Sequence, residues 1–392
     1  METGNSTHYI RAGWLIDGSG GPIQENVLLS LRYGTLLDIS PFRRDDHPHA
    51  SLITDFSNCS ILPPLIDSHV HLALSPSTDP LLRKQQLTAS YEERCPLIAA
   101  NISACRAHGV LAVRDGGDQF AHILRHTQEY HQAGKNSVIV KPASRALYRR
   151  GRYGSFLGRA VPEGKSLADT AAEETSSAAH IKLINSGINS ITKYGTASPA
   201  QFTCKEITKL RQRLLYTNIK MMVHANGETP VREAVEAGCH SIEHGFFMGD
   251  ENLKRMAEEQ IFWVPTAVTM QHMLDTGAGS RDVISRTLDS QLELMDKGRR
   301  YGVQMAVGTD AGSSGIDHGK AVADELQLFV QAGFSLVEAL QCASVNAAKL
   351  LDIGETIGSL TKGRSAHFIA VQASPPALLH NLANIEAISF SP

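Results

Sequence analysis

Between about residues 63 and 354 the chain alternates short apolar runs with longer stretches whose apolar positions recur at helical spacing. The runs fall at residues 65–71, 110–115, 138–142, 180–185, 220–224, 241–244, 261–265 and 304–309. Each has the length of a buried strand rather than a helix. Stretches such as 204–215, 230–237 and 251–259 carry the 3.6-residue period between them. Strand followed by helix, repeated eight times, predicts an α/β chain folded as a TIM-like (β/α)8 barrel, with its active site at the C-terminal ends of the strands.

The two ends of the chain read differently. Residues 12–16, 26–31, 35–39 and 51–55 are brief β-prone runs punctuated by Gly18, Gly20, Gly21, Gly34 and Pro41. The tail from Ile357 returns to that character, with 366–371 its clearest strand. This predicts a small accessory β-sandwich formed by both termini, residues 1–62 with 357–392, around a catalytic barrel of residues 63–356.

Composition narrows the classes. Charged residues are 20% and hydrophobic ones 42%, as in ordinary globular proteins. A net charge of -3 leaves no electrostatic footprint for nucleic acid or an anionic membrane. No apolar run approaches the roughly 20 residues that span a bilayer, and residues 1–21 lack an apolar core followed by a cleavage site. The six cysteines form no C-x-x-C pair, so they read as buried apolar residues in a reducing compartment. The expectation is a cytoplasmic protein acting on a small-molecule substrate, with a homo-oligomer left open.

The first run of the middle section ends in Asp67-Ser68-His69-Val70-His71. On a strand, side chains two apart face the same way, so His69 and His71 can bind one metal ion. In a chain with 17 histidines such a pair alone is weak evidence. His224 closes the fifth run, His244 the sixth, and Asp310 follows the eighth. Taken singly, each has a plainer reading: a hydrogen-bonded core imidazole or, for Asp310, a helix cap. Ligand-competent groups at four strand ends of one barrel favour a metal centre. Lys182, in Ile181-Lys182-Leu183-Ile184-Asn185-Ser186-Gly187, adds to it. A charged lysine in an apolar strand is costly, whereas its neutral amine can take up carbon dioxide as an anionic carbamate with two oxygens. The plainer reading is a lysine snorkelling to solvent. Lys193, among loop-like residues, is the weaker candidate.

These segments resemble the amidohydrolase superfamily over nearly the whole chain. Residues 181–187, 199–203, 223–227, 236–238, 241–245, 339–351 and 357–363 are similar to the branch that holds Xaa-Pro dipeptidase and imidazolonepropionase-related enzymes. The resemblance implies that His69, His71 and Asp310 hold one divalent metal, that His224 and His244 hold a second, and that carboxylated Lys182 spans both. Zinc is the expected metal, although the donor set accepts other divalent ions. The resemblance further implies a shared hydroxide that attacks an amide carbonyl, with Asp310 passing the proton to the leaving nitrogen as general base and then acid. Members of the branch cleave dipeptides or N-acyl amino acids, so an amide C–N bond is the implied target. Cyclic amides and lactones would use the same centre. A catalytically silent scaffold would be expected to have lost ligands.

Two neighbouring chemistries fit less well. A deaminase on this fold would show His-x-x-Glu at the fifth strand, where Gly227 stands. Imidazolonepropionase itself uses one metal and has no need of Lys182. The chain departs from the pattern at Pro63-Pro64, where Pro-Gly is usual, and at His367, where an aspartate is common. A third departure bears on substrate: residues 145–159 are arginine-rich where the branch has a glycine-rich, histidine-bearing loop. Arg149, Arg150, Arg152 and Tyr153 there could clasp a substrate carboxylate, or form a solvated loop. Tyr194 after the fourth strand and His318 after the eighth complete the candidate substrate contacts.

Overall fold

The computed structural model describes residues 7–43, 53–132, 137–175 and 177–390. Strands β1 (His8–Leu15), β2 (Gln24–Arg32), β3 (Thr35–Pro41) and β4 (Ile53–Leu62) come first. Of the predicted terminal runs, the one at 51–55 begins at Ser51, outside the described residues. Then follow β5 (Leu65–Val70), α1 (Pro80–Thr88), α2 (Tyr91–Ala107), β6 (Val110–Asp115), α3 (His122–Gln132), β7 (Ile139–Pro142), β8 (Ala146–Arg149), β9 (Gly158–Val161), α4 (Leu167–Ala172) and β10 (His180–Ile184). The second half holds α5 (Cys204–Leu214), β11 (Lys220–Ala225), α6 (Glu228–Glu236), β12 (Ser241–His244), α7 (Asp250–Glu258), β13 (Phe262–Val264), α8 (Val268–Thr276) and α9 (Arg281–Tyr301). The chain closes with α10 (Ala321–Gln331), α11 (Leu336–Cys342), α12 (Val345–Leu350), β14 (Phe368–Val371) and β15 (Ile385–Ser389).

Local chemistry starts several helices where they are needed. Ser90 with Glu93, Thr203 with Glu206 and Ser335 with Glu338 form capping boxes that satisfy the free N–H groups opening α2, α5 and α11. The predicted helix at 339–351 is broken between α11 and α12, where Ser344 leaves helical geometry at φ -131° and ψ -94°.

The middle strands are parallel and form two sheets, β5-β6-β7 and β13-β12-β11-β10-β8-β9. Parallel bridges Ala143 to His180, Trp263 to Met305 and Val70 to Ala311 run between their edges. The stretch predicted as the eighth strand, 304–309, is present only through such bridges, with Ser68 N donating to Val307 O at 2.8 Å. Asp310 after it has a left-handed backbone, φ 58°, and the Val70 to Ala311 bridge continues the pairing beyond it. Strands β8 and β9 were not expected: they occupy the arginine-rich stretch, whose charged and glycine residues show no period-2 pattern. The terminal strands form one six-stranded sheet in the order β15-β14-β4-β1-β2-β3, where a sandwich has two.

Alternation along the strands sorts the two faces. Val113, Ile181, Leu183, Val223 and Ile242 join Leu210, Val231 and Leu253 of the surrounding helices in the main core. A second cluster packs Ile66, Ala112, Val264 and Ala306 on Ala347, Leu350 and Leu351 around α12. No helix among the described residues is long and apolar enough to cross a membrane.

Candidate metal centre

Register brings the strand-end residues together. β10 and β11 pair Lys182 with Met222 and Ile184 with His224, and β11 and β12 pair Ala225 with His244. Strict alternation would send Glu243 and His244 to opposite faces. His244 sits instead at φ 66°, a left-handed conformation that costs a β-type residue about 1–3 kcal/mol and turns the strand end. Its carbonyl is held by Trp263 Nε1 at 2.9 Å and Gln291 Nε2 at 2.6 Å, which fixes that turn. Asp310 shares the left-handed geometry. Close packing also requires glycine at Gly116, where a Cβ would lie 2.5 Å from His71 Cε1.

The ligand-competent atoms converge. Asp310 Oδ1 lies 3.4 Å from His69 Nε2 and 3.2 Å from His71 Nε2, and the three residues form a group with ligand atoms within 4.8 Å of one another. Lys182 Nζ is 3.2 Å from His69 Nε2. The His69 and His244 rings are 5.0 Å apart and those of His224 and His244 4.5 Å. His69, His71, Lys182, His224, His244 and Asp310 all line one cavity of about 350 Å³.

Burial sets the charges. It lowers His69 and His244 well below the usual histidine range and brings His224 to about 4, so these imidazoles stay neutral. Burial also brings the Lys182 amine down to about 8. Burial pushes the Asp310 carboxyl up, but its hydrogen bond with His71 and the fields of His69, His71 and His244 outweigh it and hold the group well below the carboxylate range. Hydrogen bonds choose tautomers. His69 Nδ1 donates to Glu243 Oε2 at 2.9 Å, leaving Nε2 as the free lone pair. His244 Nδ1 donates to Thr266 Oγ1 at 2.7 Å, and Thr266 in turn donates to the Pro265 carbonyl. His224 Nε2 donates to Gly187 O at 3.2 Å, which leaves Nδ1 unprotonated.

Residues 60–391 match the amidohydrolase family. The chain belongs to the amidohydrolase family. Ochratoxinase of Aspergillus niger is 29% identical to it over 185 residues, 45% of this chain and 37% of that protein, so the matched stretch spans well under half of the relative's length. Imidazolonepropionase of Desulfotalea psychrophila is 24% identical over 172 residues, 43% of this chain and 38% of that protein. Among solved structures, a Xaa-Pro dipeptidase with bound methionine in the active site superposes with a TM-score of 0.81 at 24% identity, covering 98% of each chain. The A. niger ochratoxinase structure gives 0.79 at 19% identity over 98% of this chain and 94% of that one. These structural likenesses speak to the fold.

An amidohydrolase of this kind implies divalent metal, and the donor set fits one. The free Nε2 lone pair of His69, the His71 imidazole and an ionised carboxylate, three donor atoms within 4.8 Å, are what a zinc-like ion takes. The supporting shell was not foreseen. Glu243, which accepts from His69, is itself gripped by Arg114 Nη2 at 2.8 and 2.9 Å, and Arg114 Nε donates to Ser68 O at 2.7 Å. Glu243 stands next to His244 in the sequence, and its position in the inward register of β12 was the available signal.

The expected substrate contacts divide. Tyr153 lines the cavity, its ring 5.5 Å from that of His224. Arg149 does not: Nη2 donates to Glu206 Oε1 at 2.7 Å, Nε to the Gln201 carbonyl, and its guanidinium lies over Phe202. Arg150 and Arg152 are exposed and outside the cavity lining. Tyr194 packs edge-on to Phe247 beneath the Arg286 guanidinium, and His318 is buried, neither lining the cavity. Lys193 is exposed. The strands β8 and β9 account for the arginines: β8 pairs with β10 and β9 with β8, Arg149 reaches Glu206 of α5, Arg145 and Arg159 pair with Glu174, and Arg150 and Arg152 face solvent. The basic side chain that the cavity does hold, apart from Lys182, is Arg83 of α1.

Proposed function

We propose that this chain is a metal-dependent hydrolase that cleaves the amide C–N bond of a dipeptide or N-acyl amino acid. The observation that carries the reading is the meeting of His69, His71 and Asp310 in one cavity with Lys182, whose buried amine titrates near 8. In this reading His69, His71 and Asp310 hold one divalent ion, His224 and His244 a second, and Lys182 both, as a carbamate formed by its neutral amine and carbon dioxide with loss of one proton. Zinc is the preferred ion. Bound there, such ions supply Lewis-acid polarisation of a carbonyl and acidify water to near neutral pH.

The chain's own residues do the rest. Asp310 is held ionised, so it can accept a proton from water and return the same proton to the departing nitrogen. Ser313 Oγ donates to Asp310 Oδ2 at 2.9 Å and fixes that carboxylate's orientation. Phe156, Leu157, Phe246, Met270, Met273 and Ile316 give the cavity an apolar wall suited to a bulky acyl or side-chain group. Catalysis is assigned to a closed (β/α)8 barrel of residues 63–356 in a cytoplasmic protein. The parallel bridges at its two sheet edges support closure. The terminal strands, residues 1–62 and 357–392, make the accessory module. The apolar cluster shared by Ile10, Leu29, Leu36, Ile61 and Phe368, drawn from both ends of the chain, supports their packing as one module.

Elemental analysis after growth with divalent metal and bicarbonate should find about two ions per chain. Less than one would overturn the reading. With metal in place, a panel of N-acyl amino acids and dipeptides should be hydrolysed in preference to hydantoins and lactones; the reverse order would move the assignment to cyclic substrates.

A further inference from the structure

Arg83 is a half-buried cation in a cavity whose other walls combine the metal-competent groups, apolar side chains and a few neutral polar ones. Its Nη1 donates to three backbone carbonyls, Ser75 O at 2.9 Å, Ser77 O at 3.3 Å and Gly312 O at 3.2 Å. Those bonds tie α1 to the turn after β5 and to the loop that carries Asp310. They use one edge of the guanidinium. Nε and Nη2 have no hydrogen-bond partner among the described residues, and no carboxylate of the described residues lies within ion-pair distance of Arg83. The three carbonyls are neutral, and the charge that bears on Arg83 is that of the Asp310 carboxylate, which lies beyond ion-pair distance. What remains is a forked pair of donors with the geometry of a carboxylate.

We infer that Arg83 anchors the free carboxylate of the substrate. The inference rests on the hydrolase reading above and narrows it: the preferred substrate is an amide that keeps an uncapped carboxylate, with a bulky apolar remainder against Phe156, Phe246, Met270 and Met273. The carboxylate lies on the α1 side of the cavity, the side shared with Ser313 and Asp310, and not toward the arginine-rich stretch of β8 and β9. An anchor there holds the amino-acid half while the apolar wall takes the acyl half, which orients the amide between them.

The test compares metal-loaded wild type, Arg83→Gln and Arg83→Lys on N-acyl-phenylalanine and N-acyl-leucine acids and on the matching carboxamides. Binding of N-tosyl-phenylalanine and its carboxamide is measured by calorimetry alongside. Wild type should favour the acids by about tenfold or more in kcat/KM, mainly through KM, and bind the tosyl acid more tightly than its carboxamide by a similar factor. In Arg83→Gln both preferences should fall to within about threefold, and Arg83→Lys should restore part of them. Wild type that treats acid and carboxamide alike overturns the inference. So does an acid preference that survives in Arg83→Gln, or a loss that is equal for acid and carboxamide, which would mark Arg83 as support for the cavity rim only. Turnover without acid preference sinks the anchor and leaves the hydrolase standing. Arg83-dependent binding of the tosyl acid with no amide cleaved does the opposite.

Discussion

At Glu243 both carboxylate oxygens are committed, Oε2 to His69 Nδ1 and the pair to Arg114, while Ser241 Oγ donates to Oε1 at 2.5 Å. The residue is fully buried and touches nothing that would react, so its effect on the centre runs through His69. Glu243→Gln should leave Arg114 without a counter-charge and weaken the hold on the His69 tautomer. Retained metal after dialysis should fall, with affinity down by about 10–100-fold. Denaturant unfolding should also show a loss on the order of 3–5 kcal/mol, the cost of stranding one half of a buried ion pair. Unchanged metal retention in a destabilised variant would confine Glu243 to a structural role. His69, His71, His224, His244 and Asp310 could be picked out of the sequence because strand periodicity and residue type act locally. Glu243 and Arg114 could not be paired, because 129 positions separate them along the chain and only the sheet register joins them.

Elements differ in how they announce themselves. β6 and β12 have the bounds the apolar pattern predicts, since both are short runs flanked by turn residues. The 304–309 run is paired only through isolated bridges, and the left-handed backbone of Asp310 follows it, with that carboxylate in the cavity lining. β8 and β9 escaped prediction because a charged stretch becomes a strand only when a neighbouring strand supplies the hydrogen bonds. The link from β11 to β12 carries a pH dependence that can be measured. His240 Nδ1 accepts from Met221 N–H at 2.9 Å, and burial, reinforced by Arg211 and Lys220, lowers the imidazole to about 4. The unfolded chain takes up this proton near 6.5 and the folded one only near 4. Between those values the unfolded state binds more protons, so stability is complete above about 6.5 and drains away as pH falls toward 4. The thermal midpoint of wild type should drop over that window, and His240→Gln should show a shallower slope. Parallel curves for the two proteins would remove His240 as the cause.

Across the whole molecule, the terminal sheet and the parallel strands share one core. Ile16, Leu62, Ile369 and Val371 belong to the same apolar cluster as Val113 and Ile181. Ile369 is fully buried and pairs with Leu62 across β14 and β4. Ile369→Ala should cost about 2–5 kcal/mol and lower the denaturation midpoint while unfolding stays a single transition, read by both far-ultraviolet dichroism and tryptophan fluorescence. Two separated transitions would show that the termini fold as an independent unit.

The amino-acid order by itself determined what short-range physics controls: the alternation of strand and helix, the β character of both ends, and which strand ends carry imidazole, amine or carboxylate. Family membership was legible for the same reason, being written in those local motifs. Tertiary structure alone decided which cations meet the cavity. Arg149, Arg150 and Arg152 follow the third predicted strand and looked well placed, yet the pairing of β8 with β10 and of β9 with β8 carries them away. Arg83 lies in a polar helix with no motif around it, and carbonyls from 75, 77 and 312 bring it to the cavity. A side chain's type is local, but its neighbours are set by contacts between distant segments, and only the folded chain makes those contacts.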